Sequence, residues 1–563
     1  MTPPRTDLNH TFSDDDLETL KAYGEVRLHP VGDVLVEDGD QRADCLITLS
    51  GHTDIFVERA DGPYRVGFME RGQFAGDISV LTGQGSFART VMGEAGEVLH
   101  IPFDRFQVLM RENSYFSDIF LRVLMARREF GRSSDNAAVV VFGAAHNREA
   151  LALADLLAKH GVPHLWMRDS EDPIAVRLMA SRGVTADDWP AVAIGSQNVL
   201  RRPSVEDLAR ALGLDLLPDD TTADLIVVGC GPAGLAAAVY GASEGLTVLL
   251  LDTDGPGGQA GTSSKIENYL GFPMGVSGRE LAERAVIQAQ KFGARLAAPA
   301  KAISLEKDEE GYCIGLQDGR HLRACAVVLA MGAQYRRLPI ENLERFEGRG
   351  IYYGATPMEA QFCQGQEVAI VGAGNSAGQG AVFLSRFAKT VHVVYRRPDI
   401  RETMSEYLVR RLEEAPNIVL HPETEIDALH GVNGAEPEDD RLQKVTWRVG
   451  NSGEKETCDT SYLFLFVGAA PFTDWLPSTI SCDGKGFLKA GSDLENLELI
   501  RAGWTLDRMP TRFETSWPRV YAVGDVRTGS IKRVANAVGE GSVVVSDIHA
   551  ALAAMDRTPE IPA

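Results

Sequence analysis

The spacing of apolar residues changes character along this chain, and the changes mark its parts. From residue 12 to about 110, short apolar runs such as VLVEDGD, CLITLSGHTDIFVE, YRVGF and EVLHI have strand length. Gly32, Gly39, Gly51, Gly72 and Gly76 punctuate them, as tight β-turns require. FSDIFLRVLMARREF then switches to helical spacing. A small β-roll closed by a helix is predicted.

After a polar linker, GRSSDN (131–136), AAVVVFG reads as a buried strand and NREALALADLLAKHG as a helix. VPHLWMR, a helix-like DPIAVRLMASRG, WPAVAIG and the helix SVEDLARALG follow, which predicts a compact α/β module. LPDDTTAD (217–224) is the next linker. From 224 the pattern lengthens into βαβ units, each opened by a Gly-rich turn. No short-period repeat is visible, although two dinucleotide-binding units recur.

Composition narrows the function classes. A chain of 563 residues suggests three to five domains. The net charge of −23 argues against nucleic acid or an anionic membrane as partner. The seven cysteines, Cys45, Cys230, Cys313, Cys325, Cys363, Cys458 and Cys482, are never closer than twelve residues, so there is no C-x-x-C. They read as reduced thiols of a cytoplasmic protein. The polar N-terminus shows no signal peptide, and no uncharged apolar run reaches about 18 residues, so no membrane span is expected.

The chemistry is carried by the last region. In DLIVVGCGPAGLAAAVYGASEGLTVLLLD a buried strand runs into Gly229-x-Gly231-x-x-Gly234 and a helix. Gly229 allows the tight turn, Gly231 lets the backbone approach a pyrophosphate, and Gly234 lets the helix pack on the strand. Free N–H groups at the helix start favour phosphates. Asp252, at the end of the next strand, can accept hydrogen bonds from a ribose. EVAIVGAGNSAGQGAVFLSRFAKTVHVVYRRPDIR repeats the pattern with Gly372, Gly374 and Ala377. There the ribose position holds no acid but Arg396 and Arg397, with Arg401 close behind. Guanidinium forks suit a 2′-phosphate, so NADPH is expected rather than NADH. In RVYAVGDVRTGSIKRVANAVGEGS a strand ends at Gly524-Asp525, and a helix is expected near the glycines further on.

Residues 224 to about 552 resemble the low-molecular-weight thioredoxin reductase family, class II of the pyridine nucleotide-disulfide oxidoreductases. GCGPAG, GPGGQAGTSSKIENYLGFP, VVLAMGA, VAIVGAGNSA, YRRPDIR, LFVGAAP and VYAVGD carry the resemblance in order. It implies FAD and NADPH as cofactors, a homodimer, and two nested Rossmann-like domains. The FAD domain would span 222–338 and 469–563, with the NADPH domain at 339–468 between them. It also implies that Gln259, Asn268 and Gly332 lie at the flavin, and Asp525 at its ribityl or pyrophosphate region. Lys532-Arg533-Val534 stands where the family has Arg-Gln-Ala, and Met331 replaces the usual Thr. In the family the NADPH domain rotates between two contacts.

The family's Cys-x-x-Cys-Asp falls on Gly354-Ala355-Thr356-Pro357-Met358, within GIYYGATPME. Disulfide exchange needs an attacking and a resolving thiol, and Gly354 and Pro357 supply neither. Three readings follow: an NADPH-dependent FAD oxidoreductase with no dithiol and an unspecified small-molecule or protein acceptor; a thioredoxin-disulfide reductase using a remote cysteine, with Cys363 the candidate; or a regulatory flavoprotein sensing redox state or a cyclic nucleotide.

The two N-terminal parts bear on the third reading. Region 136–216 resembles a thioredoxin or glutaredoxin fold, with FGAAHN where a Cys-x-x-Cys would stand and Trp189-Pro190 at the cis-proline loop. It contains no cysteine, which implies a redox-silent docking or dimer element. Region 1–135 resembles a cyclic-nucleotide-binding domain, with RGQFAGDISVLTGQGSFART at its phosphate cassette. Gly76-Asp77 stands for the usual Gly-Glu that meets the ribose. Phe87 occupies the phosphate-binding Arg position, and Arg89 is displaced by two. Losing that charge-assisted pair costs roughly 1.5–3 kcal/mol of ligand binding. No helix-turn-helix follows, so transcription-factor function is not expected.

Overall fold

The computed structural model describes residues 8–555 except 60–61, 134–138, 145–146, 196–197, 216, 218–220, 264–265, 267, 309–310, 356, 433–440 and 451–452. Thr356 and part of FGAAHN therefore lie outside the described residues.

The first part is a β-roll of two antiparallel four-stranded sheets. One orders Glu25–His29, Gly96–Ile101, Cys45–Thr48 and Phe74–Ala75; the other orders Val34–Val36, Arg89–Glu94, His52–Arg59 and Gly62–Met69. The long helix Ser114–Ser133 closes it, as its spacing predicts. Phe12, Phe74, Phe106, Phe116 and Phe120 fill the space between helix and roll.

The middle module has a four-stranded sheet in the order His164–Met167, Val139–Phe142, Ala191–Ile194, Asn198–Arg201. The first pair is parallel and the others antiparallel. Helices Arg148–Lys159, Pro173–Arg182 and Val205–Leu212 pack on it. The strand Asn198–Arg201 has no counterpart in the sequence reading. It is a short edge strand with no fully buried residue, so it leaves no apolar run. The Trp189–Pro190 peptide is cis.

The last part is built on two large sheets, with a three-stranded antiparallel sheet, Thr424–Val432, Arg441–Val449 and Glu454–Cys458, following the second. In the first, Arg295–Ala297, Val248–Leu251, Thr222–Val228, His321–Leu329 and Val520–Ala522 are parallel, and the hairpin Ala302–Lys307/Tyr312–Leu316 extends one edge. Its strands are apolar on both faces because a cluster lies on each side. In the second, Ile351–Tyr352, Leu463–Leu465, Glu367–Val371, Thr390–Val394 and Ile418–His421 are all parallel. The chain crosses to the second sheet and back along a two-stranded ribbon, Gln334–Tyr335 against Ala469–Ala470. The first sheet is then completed by Val520–Ala522, some 190 residues after its neighbour His321–Leu329.

The helix Val534–Met555 is long and apolar enough to cross a membrane by length and composition, a property missed in counting uncharged runs. It carries Glu540 and Asp547 within an apolar average. Its Ala537, Val544, Val545 and Ile548 sit in the core of the first sheet, and Gly541 packs against the backbone of Ala233. It begins at Val534, ahead of the glycines near which the sequence placed its start.

Candidate dinucleotide cavities

The first Gly-rich turn follows Thr222–Val228 and leads into the helix Pro232–Ser243. Gly229 has φ +108°, and a Cβ there would lie 2.3 Å from the Ala330 carbonyl oxygen. A Cβ on Gly234 would lie 1.8 Å from the oxygen of Gly229, so helix and turn meet only because both residues are glycine. Pro232 takes the first helical position, where an N–H would have no partner.

Two adjoining cavities open at this turn, one of about 730 Å3 and one of about 440 Å3. Gly229, Asp252, Gly258, Gln259, Met331 and Ala333 border both. Asp252 is half-buried; its carboxylate accepts N–H bonds from Cys230 (2.7 Å), Asp254 (3.0 Å) and Gly255 (3.0 Å). Burial pushes its pKa up, against the pull of those three donors. Gln259 donates to the Ala333 carbonyl and so fixes the wall where the two cavities join.

The second cavity gathers Gly231, Asn268, Gly332, Gly524, Asp525, Lys532, Arg533 and Val534 along the first-sheet side. Among the described residues no side chain bonds or pairs with Asp525, and burial raises its pKa, with Glu540 adding and Lys532 opposing. Lys532 Nζ lies 4.7 Å from the centre of the Phe487 ring. Glu540 accepts the Gly524 N–H at 2.7 Å and pairs with Arg527 at 2.6 Å, which pins the strand end carrying Asp525. The sequence reading missed Glu540; its signal is a carboxylate inside an otherwise apolar helix.

The second Gly-rich turn faces the same cavity from the other sheet. Asn375, Ser376, Gln379, Gly380, Ser405 and Phe466 line it. Asn375 Oδ1 accepts from the Ser405 N–H (2.7 Å) and hydroxyl (3.0 Å). Gly372, Gly374 and Ala377 shape the turn but stay behind this wall, Ala377 fully buried and Gly372 against Phe466. Arg396, Arg397 and Arg401 border neither cavity. They are exposed, and carboxylates stand beside them: Glu425 at 3.8 Å from Arg396, Glu402 at Arg397, and Glu413 at Arg401.

The run that would hold the disulfide lies where the cavities adjoin. Gly354 borders the larger and Ala355 the smaller, and a Cβ on Gly354 would stand 3.1 Å from Thr262 Cβ. Pro357 opens the helix Pro357–Phe362. Among the described residues no cysteine lines either cavity. Cys363 is fully buried under the second sheet, and burial, aided by Glu359, pushes its thiol up to about 12.

The larger cavity has a wall that sequence reasoning did not find. Arg148, Leu151, Asp155 and Lys159, on one face of the middle module's first helix, border it opposite Asp252 and Asp254. Their spacing is helical, but nothing in the sequence says which body the helix faces.

In the roll, one expectation is corrected. Arg89, two residues from the phosphate-binding position and a candidate for the nucleotide site, does not reach the roll's interior. Its side chain points outward from the strand Arg89–Glu94 and pairs with Glu37 at 3.0 Å. Strand alternation sends Ala88 and Thr90 inward instead. Gly76 and Asp77 do border the roll's interior.

A family profile for pyridine nucleotide-disulphide oxidoreductase matches residues 223–541, and one for the cyclic nucleotide-binding domain matches residues 26–113. A thioredoxin reductase of Bacillus subtilis (strain 168) is 29% identical over 327 residues, covering 58% of this chain and 93% of its own. One from Streptomyces clavuligerus is 30% identical over 339 residues, covering 60% and 96%. The crystal structure of T. acidophilum thioredoxin reductase superposes with a TM-score of 0.51 at 26% identity, over 59% of this chain and 99% of that one. Together with the two turns on one cavity, these matches settle the relationship: the chain belongs to the pyridine nucleotide-disulphide oxidoreductase family.

Proposed function

We propose that this protein is an NADPH-dependent FAD oxidoreductase of thioredoxin reductase type that passes electrons to its acceptor without a protein dithiol. The observation that carries this reading is the position of Gly354, against Thr262 at the junction of the two cavities, with no cysteine in either wall among the described residues.

The residues present fit FAD. The approach to Gly231 is open, with the Gly258 Cα 4.0 Å from where a Cβ would be, and the two cavities together form a groove past Asp252, Gln259 and Asp525. When bound, FAD supplies hydride acceptance from NADPH and the release of electrons. The first helix turn offers N–H groups to the pyrophosphate, Asp252 has carboxylate lone pairs for the ribose, and Asp525 offers an uncommitted carboxyl for the ribityl chain. Asn375, Ser376 and Phe466 form the opposing wall, so the second nested domain brings its turn to the flavin side. Arg396, Arg397 and Arg401 serve the 2′-phosphate.

The middle module is thioredoxin-like in strand order and lacks cysteine. Its Arg168 donates to Gln361 Oε1 at 2.8 Å, and Trp166 meets Phe362 edge-on at 6.4 Å. It is thus docked on the helix that Pro357 opens, and it holds the NADPH domain in one orientation. A remote-cysteine relay has little support: Cys363 is fully buried, lines neither cavity, and burial pushes its thiol up to about 12, which disfavours the thiolate that exchange needs.

Anaerobic rapid mixing of the FAD-loaded protein with NADPH tests the reading. Bleaching of the flavin within turnover time is expected, with no NADPH-dependent reduction of thioredoxin. A flavin that stays oxidised, or thioredoxin reduction at rates ordinary for the family, overturns it.

A further inference from the structure

The β-roll encloses a cavity of about 390 Å3, lined by Val36, Leu46, Ile55, Val57, Met69 and Phe87 among others. The places where a cyclic phosphate would bind are already used. Asp77 Oδ1 accepts the Ser79 N–H at 2.7 Å and its Oδ2 the Phe87 N–H at 3.2 Å. An internal carboxylate therefore sits on the backbone donors that an anion would need. Arg127 enters from the closing helix, but its donors go to the carbonyls of Leu8 (2.9 Å), Gly76 (2.5 Å) and Phe74 (2.9 Å), and it lies over the Phe74 ring. Asp44 adds a second carboxylate to the wall. The Ser79 hydroxyl lines the cavity, is 1% exposed and has no hydrogen-bond partner among the described residues.

The far wall belongs to the middle module. Gly161 and Pro163 border the roll cavity, while Lys159 borders the larger dinucleotide cavity beside Asp252 and Asp254. Between them the His160 carbonyl accepts from Arg128 at 3.1 Å, and Arg128 also lines the roll cavity. A Cβ on Gly255 would lie 3.1 Å from Lys159 Cβ and 3.2 Å from His160 Nε2. One short strap thus forms part of both cavities.

We propose that the roll cavity binds an uncharged, largely apolar small molecule that gives one hydrogen bond to Ser79, and that binding there is coupled to the dinucleotide site through the strap from Lys159 to Pro163. The coupling half rests on the FAD reading above; the binding half does not. An anionic ligand would meet the carboxylates of Asp44 and Asp77 and two guanidinium groups, Arg127 and Arg128, that already donate to backbone carbonyls, whereas an apolar one gains the apolar lining. Coupling is reciprocal, so a ligand that shifts the strap changes cofactor affinity, and the cofactor changes ligand affinity by the same factor.

The full-length protein titrated with N-phenyl-1-naphthylamine, an uncharged aromatic amine whose fluorescence rises in apolar surroundings, tests both halves. Saturable binding of one probe per chain is expected, with no displacement by cyclic AMP or cyclic GMP. Val57→Phe and Ala43→Phe fill the cavity from different segments, and each is expected to weaken the probe by about tenfold or more while circular dichroism stays unchanged; one well-folded variant is enough. Saturating probe is expected to move the FAD dissociation constant by about fivefold, the low end of ordinary coupling. Displacement by either cyclic nucleotide, or undiminished binding in the folded filled variants, overturns the site. An unmoved FAD constant overturns the coupling alone. Failure to bind FAD at all would overturn the functional reading and leave the probe result standing.

Discussion

The two Gly-rich turns are near copies in sequence but differ in how far each is built. At the first, Asp252 is half-buried and held by three backbone donors, and the neighbouring strap places Lys159 and His160 against Gly255. At the second, the three arginines are exposed and spend their charge on nearby carboxylates. Exposed ion pairs of this kind are worth about 0–1 kcal/mol each, so an arriving phosphate displaces them at little cost. On the reading proposed above, the first site is set in advance for a resident cofactor and the second is assembled by a ligand that comes and goes. That division suits a flavin that stays and a nicotinamide nucleotide that turns over.

The largest effect should come from breaking the first turn. Gly234→Ala puts a Cβ 1.8 Å from the Gly229 oxygen, and the helix must move away from the strand. A destabilisation of about 3 kcal/mol is expected, as for severe overpacking, together with loss of bound flavin. Denaturant melts and the visible absorbance of the purified protein measure both. At the second turn the position matching Gly234 is Ala377, which already carries a Cβ, and Gly374→Ala, the counterpart of Gly231, meets nothing within 4 Å and should leave stability within about 0.5 kcal/mol. Equal damage at both turns would erase the contrast.

A second effect sharpens the contrast between dry and wet surroundings. His160 is fully buried beside the first site, and burial, with Lys159 and Arg128 nearby, drives its pKa from 6.5 down to about 3. Unfolding frees it to take a proton below about pH 6.5, while the folded protein resists until about pH 3. Its contribution to stability is therefore complete above pH 6.5 and is lost as pH falls between those values. At pH 4.5 the loss is on the order of 2–3 kcal/mol. His160→Gln should flatten that limb of a urea-melt pH series. An unchanged acid limb in the variant would mean that His160 is reached by water and that the strap is not sealed.

What the sequence made legible follows the same line. Gly229, Gly234 and Asp252 could be read because a turn imposes its demands on residues next to one another. The roll and both βαβ units could be read because apolar spacing is local. Lys159 and Arg127 could not, since each acts on a segment far along the chain, Arg127 on Gly76 and Lys159 opposite Asp252, while Glu540 reaches Gly524 only because the helix folds back on the strand end. Arg89 faces outward because the strand begins at that residue, after Phe87, and alternation from there sends Thr90 rather than Arg89 inward. The short strand Asn198–Arg201 escaped because an edge strand needs no buried face.

The smallest effect, and the one most specific to the comparison, lies with the arginines. Arg396→Ala with Arg397→Ala removes two guanidinium groups that are exposed and whose acid partners are exposed or nearly so. Stability should change by no more than about 0.5 kcal/mol. The KM for NADPH should rise by at least about tenfold, since one charge-assisted contact to a phosphate is worth roughly 1.5–3 kcal/mol. The KM for NADH should stay within about twofold, because without a 2′-phosphate there is nothing for the forks to grip. Raising ionic strength should shrink the wild-type preference toward that of the variant, as screening weakens exposed charges first. Steady-state flavin reduction with both nucleotides at two salt concentrations reads all of this. If NADPH and NADH lose affinity in parallel, these arginines act on the shared part of the nucleotide or on the loop itself, and the second turn is then as preset as the first.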